Sequence, residues 1–273
     1  MEIQGKKYTI GADPEVFVGR GDTFISAHGL VSGTKDNPFP VNKGAVQVDG
    51  LALEYNIDPA SSPEEFENNL LTVQEQLKGM VGDLDFLETP SVFFDEEFLK
   101  NIPFENLILG CEPDFNAYNL SPNPRPDGGA LMRTAGGHVH VGGFYTDNPR
   151  SPLQMGMSAY LARLMDRYLG VYSILWDKDD NRRSMYGKAG SFRPKPYGME
   201  YRSMSNKWTF NKGLIRFVYN GVEKALKQMF DGEEVEEEFS SGTIRDIINN
   251  SDRTHPFFHK NRVAEEVYDL VGA

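Results

Sequence analysis

The chain has 273 residues, of which 39% are hydrophobic, 25% charged and 12% aromatic. That length supports one large core or two small ones, and the composition excludes fibrous and disordered classes. A net charge of −12 argues against duplex nucleic acid as a partner, because such a chain repels phosphate backbones unless a basic patch or bound metal overrides its field.

No apolar run reaches the ~18 residues of a membrane span. The nearest stretch, residues 153–176, is broken by Arg163, Asp166 and Arg167. The N-terminus lacks the apolar segment of a signal peptide, and the single cysteine, Cys111, has no partner for an internal disulfide. These features predict a cytoplasmic protein without a membrane partner.

Residues 8–18 read as a strand interrupted at Pro14, with residues 23–27 placed to pair with it across a Gly-Arg-Gly-Asp turn. Residues 29–44, rich in Gly, Pro, Asn and Lys, predict a long loop, of the kind that is functional or mobile in compact domains. Residues 46–57 form a second strand region bent at Gly50. Ser62, Pro63 and Glu65 then open a helix in which Phe66, Leu70, Val73, Leu77 and Met80 recur at helical period, and Gly82 stops it. Residues 107–118 are a third strand, 122–129 a turn-rich loop and 134–141 a fourth strand. Ser151-Pro152 begins a long, deeply buried helix, residues 177–197 read as a polar Arg- and Gly-rich loop, and 199–204 as a fifth strand. An amphipathic helix over 214–229 follows, then an acidic connector and short helices around 244–248 and 263–270. Strands and helices do not alternate in a βαβ rhythm. The expectation is an α+β protein, its sheet largely antiparallel with helices packed on one face, forming one domain over 1–273 with a C-terminal helical extension from about 231.

The polar sides of these strands carry the chemistry. Residues i and i+2 of a strand share a face, which pairs Asp13 with Glu15, Glu112 with Asp114, His138 with His140, and Glu200 with Arg202, and puts Glu54 on a polar face, with Asp49 just before the bend. One such pair alone reads more readily as a solvated alternating strand. Five strands with the same pattern crowd carboxylates and imidazoles together, and like charges at that density stay together at low cost only when cations neutralise them. Oxygen-rich donors favour Mg2+ or Mn2+. Two imidazoles within Gly136-Gly137-His138-Val139-His140-Val141-Gly142-Gly143 leave a zinc hydrolase open as well. Arg182, Arg183, Lys188, Arg193 and Lys195 add cations beside the acids, an arrangement suited to phosphoryl transfer or, alternatively, a solvated basic loop. No Walker A or dinucleotide glycine motif is present.

Several segments in combination resemble the phage-type carboxylate–amine ligases (phiEco32-like amidoligases, type 2) of the glutamine synthetase and glutamate–cysteine ligase superfamily. They are Gly11-Ala12-Asp13-Pro14-Glu15, Asp49-Gly50 through Glu54, Gly110-Cys111-Glu112-Pro113-Asp114-Phe115-Asn116, Arg133 through His140, and Tyr186-Gly187 through Trp208. The resemblance implies a curved antiparallel sheet whose concave face holds divalent metals and ATP. It implies metal ligands at Asp13, Glu15, Asp49, Glu54, Glu112, His138 and Glu200, and nucleotide contacts from Arg182, Lys188, Arg193 and Arg202. Catalytic roles would fall to Arg183, Arg193, Arg202 and His140, the last orienting a phosphate or substrate group. Asp at position 13 stands where the pattern has Glu. The implied activity is an ATP-dependent amide or peptide bond synthesis through an acyl-phosphate, taking small-molecule or peptide carboxylates and amines, with an oligomer open. A metal-dependent amidohydrolase and a catalytically silent protein of the same fold are the alternatives.

Overall fold

The computed structural model describes residues 1–21, 23–103, 114–124, 131–232 and 239–272. Ten strands form the large sheet among these residues: β1 (Thr9–Arg20), β2 (Thr23–Ile25), β3 (Phe39–Val41), β4 (Gly44–Asp49), β5 (Ala52–Ile57), β6 (Asp85–Leu87), β7 (Phe115–Asn116), β8 (Gly137–Gly142), β9 (Ser191–Lys195) and β10 (Gly198–Tyr201). The order is β7-β9-β10-β8-β1-β5-β4-β3, with β2 and β6 also on β1, and the pairings are antiparallel.

β1 is the hub. Its first half pairs with β8, from Thr9 opposite Gly142 to Pro14 opposite Gly137. Its second half turns to β5, β6 and β2. Pro14 has no N–H for a ladder bond, and the exchange of partners falls there. The strand does not end at Pro14, because the Glu15 amide is still satisfied by the Gly136 carbonyl at 2.9 Å.

The helices are α1 (Pro63–Val81), α2 (Glu96–Lys100), α3 (Pro152–Met165), α4 (Val171–Trp176), α5 (Asp180–Met185), α6 (Lys212–Asp231), α7 (Ser241–Asn250) and α8 (Arg262–Val271). The α1 start follows the capping prediction: Ser62 Oγ accepts from the Glu65 amide, and the Glu65 carboxylate accepts from the Ser61 amide. Phe66, Leu70, Val73 and Leu77 are fully buried, and α1 lies against β5, β4 and α6. α3 covers β9 and β10 and continues through a π-helical turn, Asp166–Gly170, into α4. The result is α+β with helices on the apolar face of an open sheet. α7 packs on α4 and the π turn, and α8 on α4 and α6.

Three parts of the sequence reading are corrected. The predicted loop at 177–197 contains α5 and β9. Its helix is capped by Asp179, and its strand alternates Phe192, which is buried, with Arg193 and Lys195. The predicted strand at 134–141 is two elements: Met132–Thr134 pairs with Ser91–Phe93 in a small separate sheet, and β8 starts at Gly137. The strands Asp85–Leu87 and Ser91–Phe93 and helix α2 were not expected. Of the predicted strand over 107–118, residues 107–113 lie outside the described residues, as do 125–129 of the next loop.

Candidate active site

The register places the charged residues on one face. Asp13 stands opposite His138, Glu15 opposite Glu54, Glu54 opposite Gln47, and Glu200 opposite both His140 and Arg193. Directly opposed residues share a face, so six adjacent strands, β9-β10-β8-β1-β5-β4, contribute to one wall. The wall's position depends on Gly137. A side chain there would meet the Ser205 carbonyl and the Trp208 indole nitrogen at 2.4 Å, and instead the indole N–H donates to the Gly137 carbonyl at 3.1 Å.

Two clusters have metal-binding spacing. The ligand atoms of Asp13, His140 and Glu200 lie within 4.8 Å of one another, as do those of Glu15, Asp49 and Glu54. Burial, then the negative charge of Asp49, push Glu15 up to about 7, against the Gly136 amide that donates to it at 2.7 Å. Burial, then Asp13, Asp49 and Glu15, push Glu54 well above the usual carboxylate range. Both acids therefore hold a proton more tightly than an ordinary carboxyl does.

The other cluster is balanced by cations. Glu200 is fully buried, yet Arg202, His140, Arg193 and Lys195 outweigh its desolvation and hold it well below the ordinary value. Arg193 Nη1 reaches its two oxygens at 3.4 and 3.1 Å, Lys195 Nζ lies 2.9 Å away, and Arg202 pairs with it directly. Burial raises the Asp13 carboxyl, but the charge on His140 and the contacts of both imidazoles win and lower it. His140 is raised: burial opposes its charge, and Asp13 and Glu200 more than compensate. Burial and Arg202 lower His138 to about 4, so it is neutral. Its Nδ1 is 3.3 Å from Arg202 Nη1, 3.4 Å from Asp13 and 3.6 Å from Glu200.

A divalent cation fits this donor set. Asp13 Oδ1 and His140 Nε2 are buried atoms 3.0 Å apart with no aligned hydrogen-bond partner. Neighbouring ligands of an octahedral Mg2+ at about 2.1 Å stand about 3 Å apart. The clusters border a cavity of 420 Å³ lined also by Lys35, Gln47, Arg193, Lys195, Tyr197 and Arg202. A narrower space of 70 Å³ continues past Glu15 and Asp49 to Asp114, Arg133, Arg182 and Arg202.

The remaining expected residues are spread more widely. Arg182 is buried and donates to the carbonyls of Ser203 and Arg202 at 3.0 and 3.3 Å, at the end of the narrow space. Arg183 points to α7, where its Nε donates to Ser251 Oγ at 3.1 Å. Lys188 is exposed and lines neither space. Asp114 lies 3.7 Å from Arg202 Nε, and its carboxyl is raised by burial. Glu112 lies outside the described residues. Sequence reasoning missed Gln47, Lys35 and Tyr197. Gln47 was available from its two-residue spacing to Asp49, whereas Lys35 and Tyr197 sit in loops and reach the wall only through tertiary folding.

Fold and wall together define an α+β protein whose antiparallel sheet gathers acids, imidazoles and guanidinium groups on one face. Residues 131–241 match the family model described as Phage phiEco32-like COOH.NH2 ligase-type 2, the family that the motifs resemble. The match spans β8 through α6 and includes His138, His140, Arg193, Glu200 and Arg202; Asp13, Glu15, Asp49 and Glu54 precede it. No curated protein matches the chain significantly.

Proposed function

We propose that the chain is an ATP-dependent, ADP-forming carboxylate–amine ligase working with Mg2+ or Mn2+. The observation that carries this reading is the meeting of two oxygen-rich clusters with Arg193, Lys195 and Arg202 around one cavity. Carboxylates alone repel a polyphosphate, and cations alone would not assemble so many acids.

Asp13, His140 and Glu200 would hold one cation, and Glu15, Asp49 and Glu54 another, with His138 beside the first. A bound divalent ion neutralises phosphate oxygens and polarises the phosphoryl group in transfer. Arg193 and Arg202 present planar donors to the same space and suit the equatorial oxygens of that group. One oxygen of the substrate carboxylate attacks the γ-phosphorus, the bond to the β-γ bridging oxygen breaks, and ADP departs. The amine nitrogen then attacks the acyl carbon of the acyl-phosphate. The bond from that carbon to the phosphate oxygen breaks, phosphate leaves with the electron pair, and the proton given up by the nitrogen passes to the departing phosphate.

Three cationic side chains, Arg193, Lys195 and Arg202, crowd around Glu200. A cation held by Asp13, His140 and Glu200 would share in neutralising that carboxylate, and Arg193 and Arg202 would then be the donors available to phosphate. The test is ATP turnover with Mg2+ against pools of carboxylates and amines, with mass spectrometry of the product. Formation of ADP together with a new amide supports the reading; absence of both across the pools counts against it.

A further inference from the structure

We infer that Tyr197 is the positioning residue that turns His140 toward the metal, fixing which ring nitrogen faces the cluster. This rests on the metal-bearing site proposed above, and it extends that site to a residue outside the acids and arginines.

The geometry has two ends. On one side of the His140 ring, Nδ1 is in hydrogen-bond contact with the Tyr197 hydroxyl. On the other, Nε2 faces Asp13 Oδ1 at 3.0 Å without hydrogen-bond alignment. An imidazole that ligates through one nitrogen needs its other N–H donated to an acceptor, and that outer bond sets ring orientation and tautomer. Tyr197 Oη is such an acceptor. A ring with Nδ1–H donated to Tyr197 keeps the Nε2 lone pair directed at the cluster formed with Asp13 and Glu200. His138 is placed differently: its Nδ1 lies among Arg202, Asp13 and Glu200.

The backbone around Tyr197 is built to hold this position. It lies in the turn between β9 and β10, where the Thr146 amide donates to the Pro196 carbonyl at 2.8 Å and the Gly143 amide to the Tyr197 carbonyl at 3.1 Å. A side chain at Gly198 would meet the Val141 carbonyl oxygen at 1.9 Å, so glycine lets the turn close onto β8, the strand that carries His140. Tyr197 also stands between the acidic cavity and a neighbouring space of 360 Å³ lined by Gly11, Ile57 and Tyr145.

The test compares wild-type chain with Tyr197→Phe, using Mn2+ alone as the probe in electron paramagnetic resonance titrations. Long-range 1H–15N NMR of the histidine rings in the Mg2+-loaded wild-type chain is the second measurement. The expected results are a loss of Mn2+ affinity of roughly tenfold to a hundredfold in the variant, and a wild-type His140 protonated on Nδ1 and bare on Nε2. Tyr145→Phe, at an exposed ring of the adjoining space, should bind Mn2+ as the wild type does. Unchanged affinity in Tyr197→Phe, or a His140 protonated on Nε2, overturns the proposal. Failure of the wild-type chain to take up Mn2+ overturns both this and the metal reading. Mn2+ uptake with the expected tautomer but no ATP turnover supports the positioning role and removes only the ligase reading.

Discussion

Lys195 Nζ stands 2.9 Å from a carboxylate oxygen of Glu200, and Glu200 is itself sealed from solvent. From sequence alone, removing one acid from a crowded acidic face is expected to relieve repulsion. The structure reverses that expectation, because the neighbours of Glu200 are Arg193, Lys195 and Arg202. Glu200→Gln leaves these cations without their shared counterion. The expected outcome is a stability loss on the order of 3 kcal/mol, with turnover abolished as well. Chemical denaturation and an ATPase assay measure the two effects separately; a variant as stable as wild type contradicts the assigned pairing.

Arg193→Lys should fold normally and lose turnover by roughly tenfold or more, about 1.4 kcal/mol in the transition state. Lysine keeps the charge but not the planar fork. Lys195 contacts the same carboxylate, so it is a poor control. Lys188 is exposed and off the cavity, and Lys188→Ala should leave turnover at the wild-type level. A loss in Lys188→Ala as large as that in Arg193→Lys would mean that the Arg193 effect is not specific to the cavity.

Nucleotide binding should require the divalent ion, because Glu15, Asp49 and Glu54 line the same cavity as the arginines. Calorimetry with ATP and Mg2+, repeated with excess chelator, is the measurement. Equal heats and affinities in the two titrations would remove the metal from the binding step.

A pH effect is expected away from the metal cluster. Asp166 is fully buried, accepts from Tyr201 Oη at 2.6 Å and Tyr118 Oη at 2.8 Å, and is raised by burial to about 6, with those hydrogen bonds opposing. A carboxyl raised in the folded state binds its proton more tightly there than in the unfolded chain. Its stabilising contribution is therefore complete below the unfolded value near 4 and is lost as pH rises to about 6. Relative to Asp166→Asn, the wild-type chain should lose on the order of 3 kcal/mol across that interval and nothing further above it. Paired melts of the two chains between pH 4 and 7 give the difference directly.

The legible part of the site was the face, and the illegible part was depth along it. Alternation at period two puts Asp13, Glu15, Glu54, His138, His140, Glu200 and Arg202 on polar sides before any coordinates exist. It does not say which imidazole meets Asp13 and Glu200 as a ligand group, because that depends on strand register and ring rotation. The structure groups His140 with them and leaves His138 beside Arg202. The α1 helix was legible down to its cap because its signals are local. β9 was not: Pro194 and two cations hide a strand whose buried side is carried by Phe192. Lys35 reaches Asp49 at 3.9 Å from a loop whose length gave no direction.

Asp13 belongs to one candidate cluster and Glu15 to the other, and both lie on β1 with only Pro14 between them. Two steps along a strand span about 6.8 Å. The interval between the two clusters is therefore ruled off by the covalent chain, not by how neighbouring loops happen to pack. Variation elsewhere in the cavity can re-shape it while leaving that interval alone. Inserting a single residue after Asp13 would rotate Glu15 to the apolar side and dismantle the second cluster, whereas the loops at the cavity rim can change length without disturbing the pair.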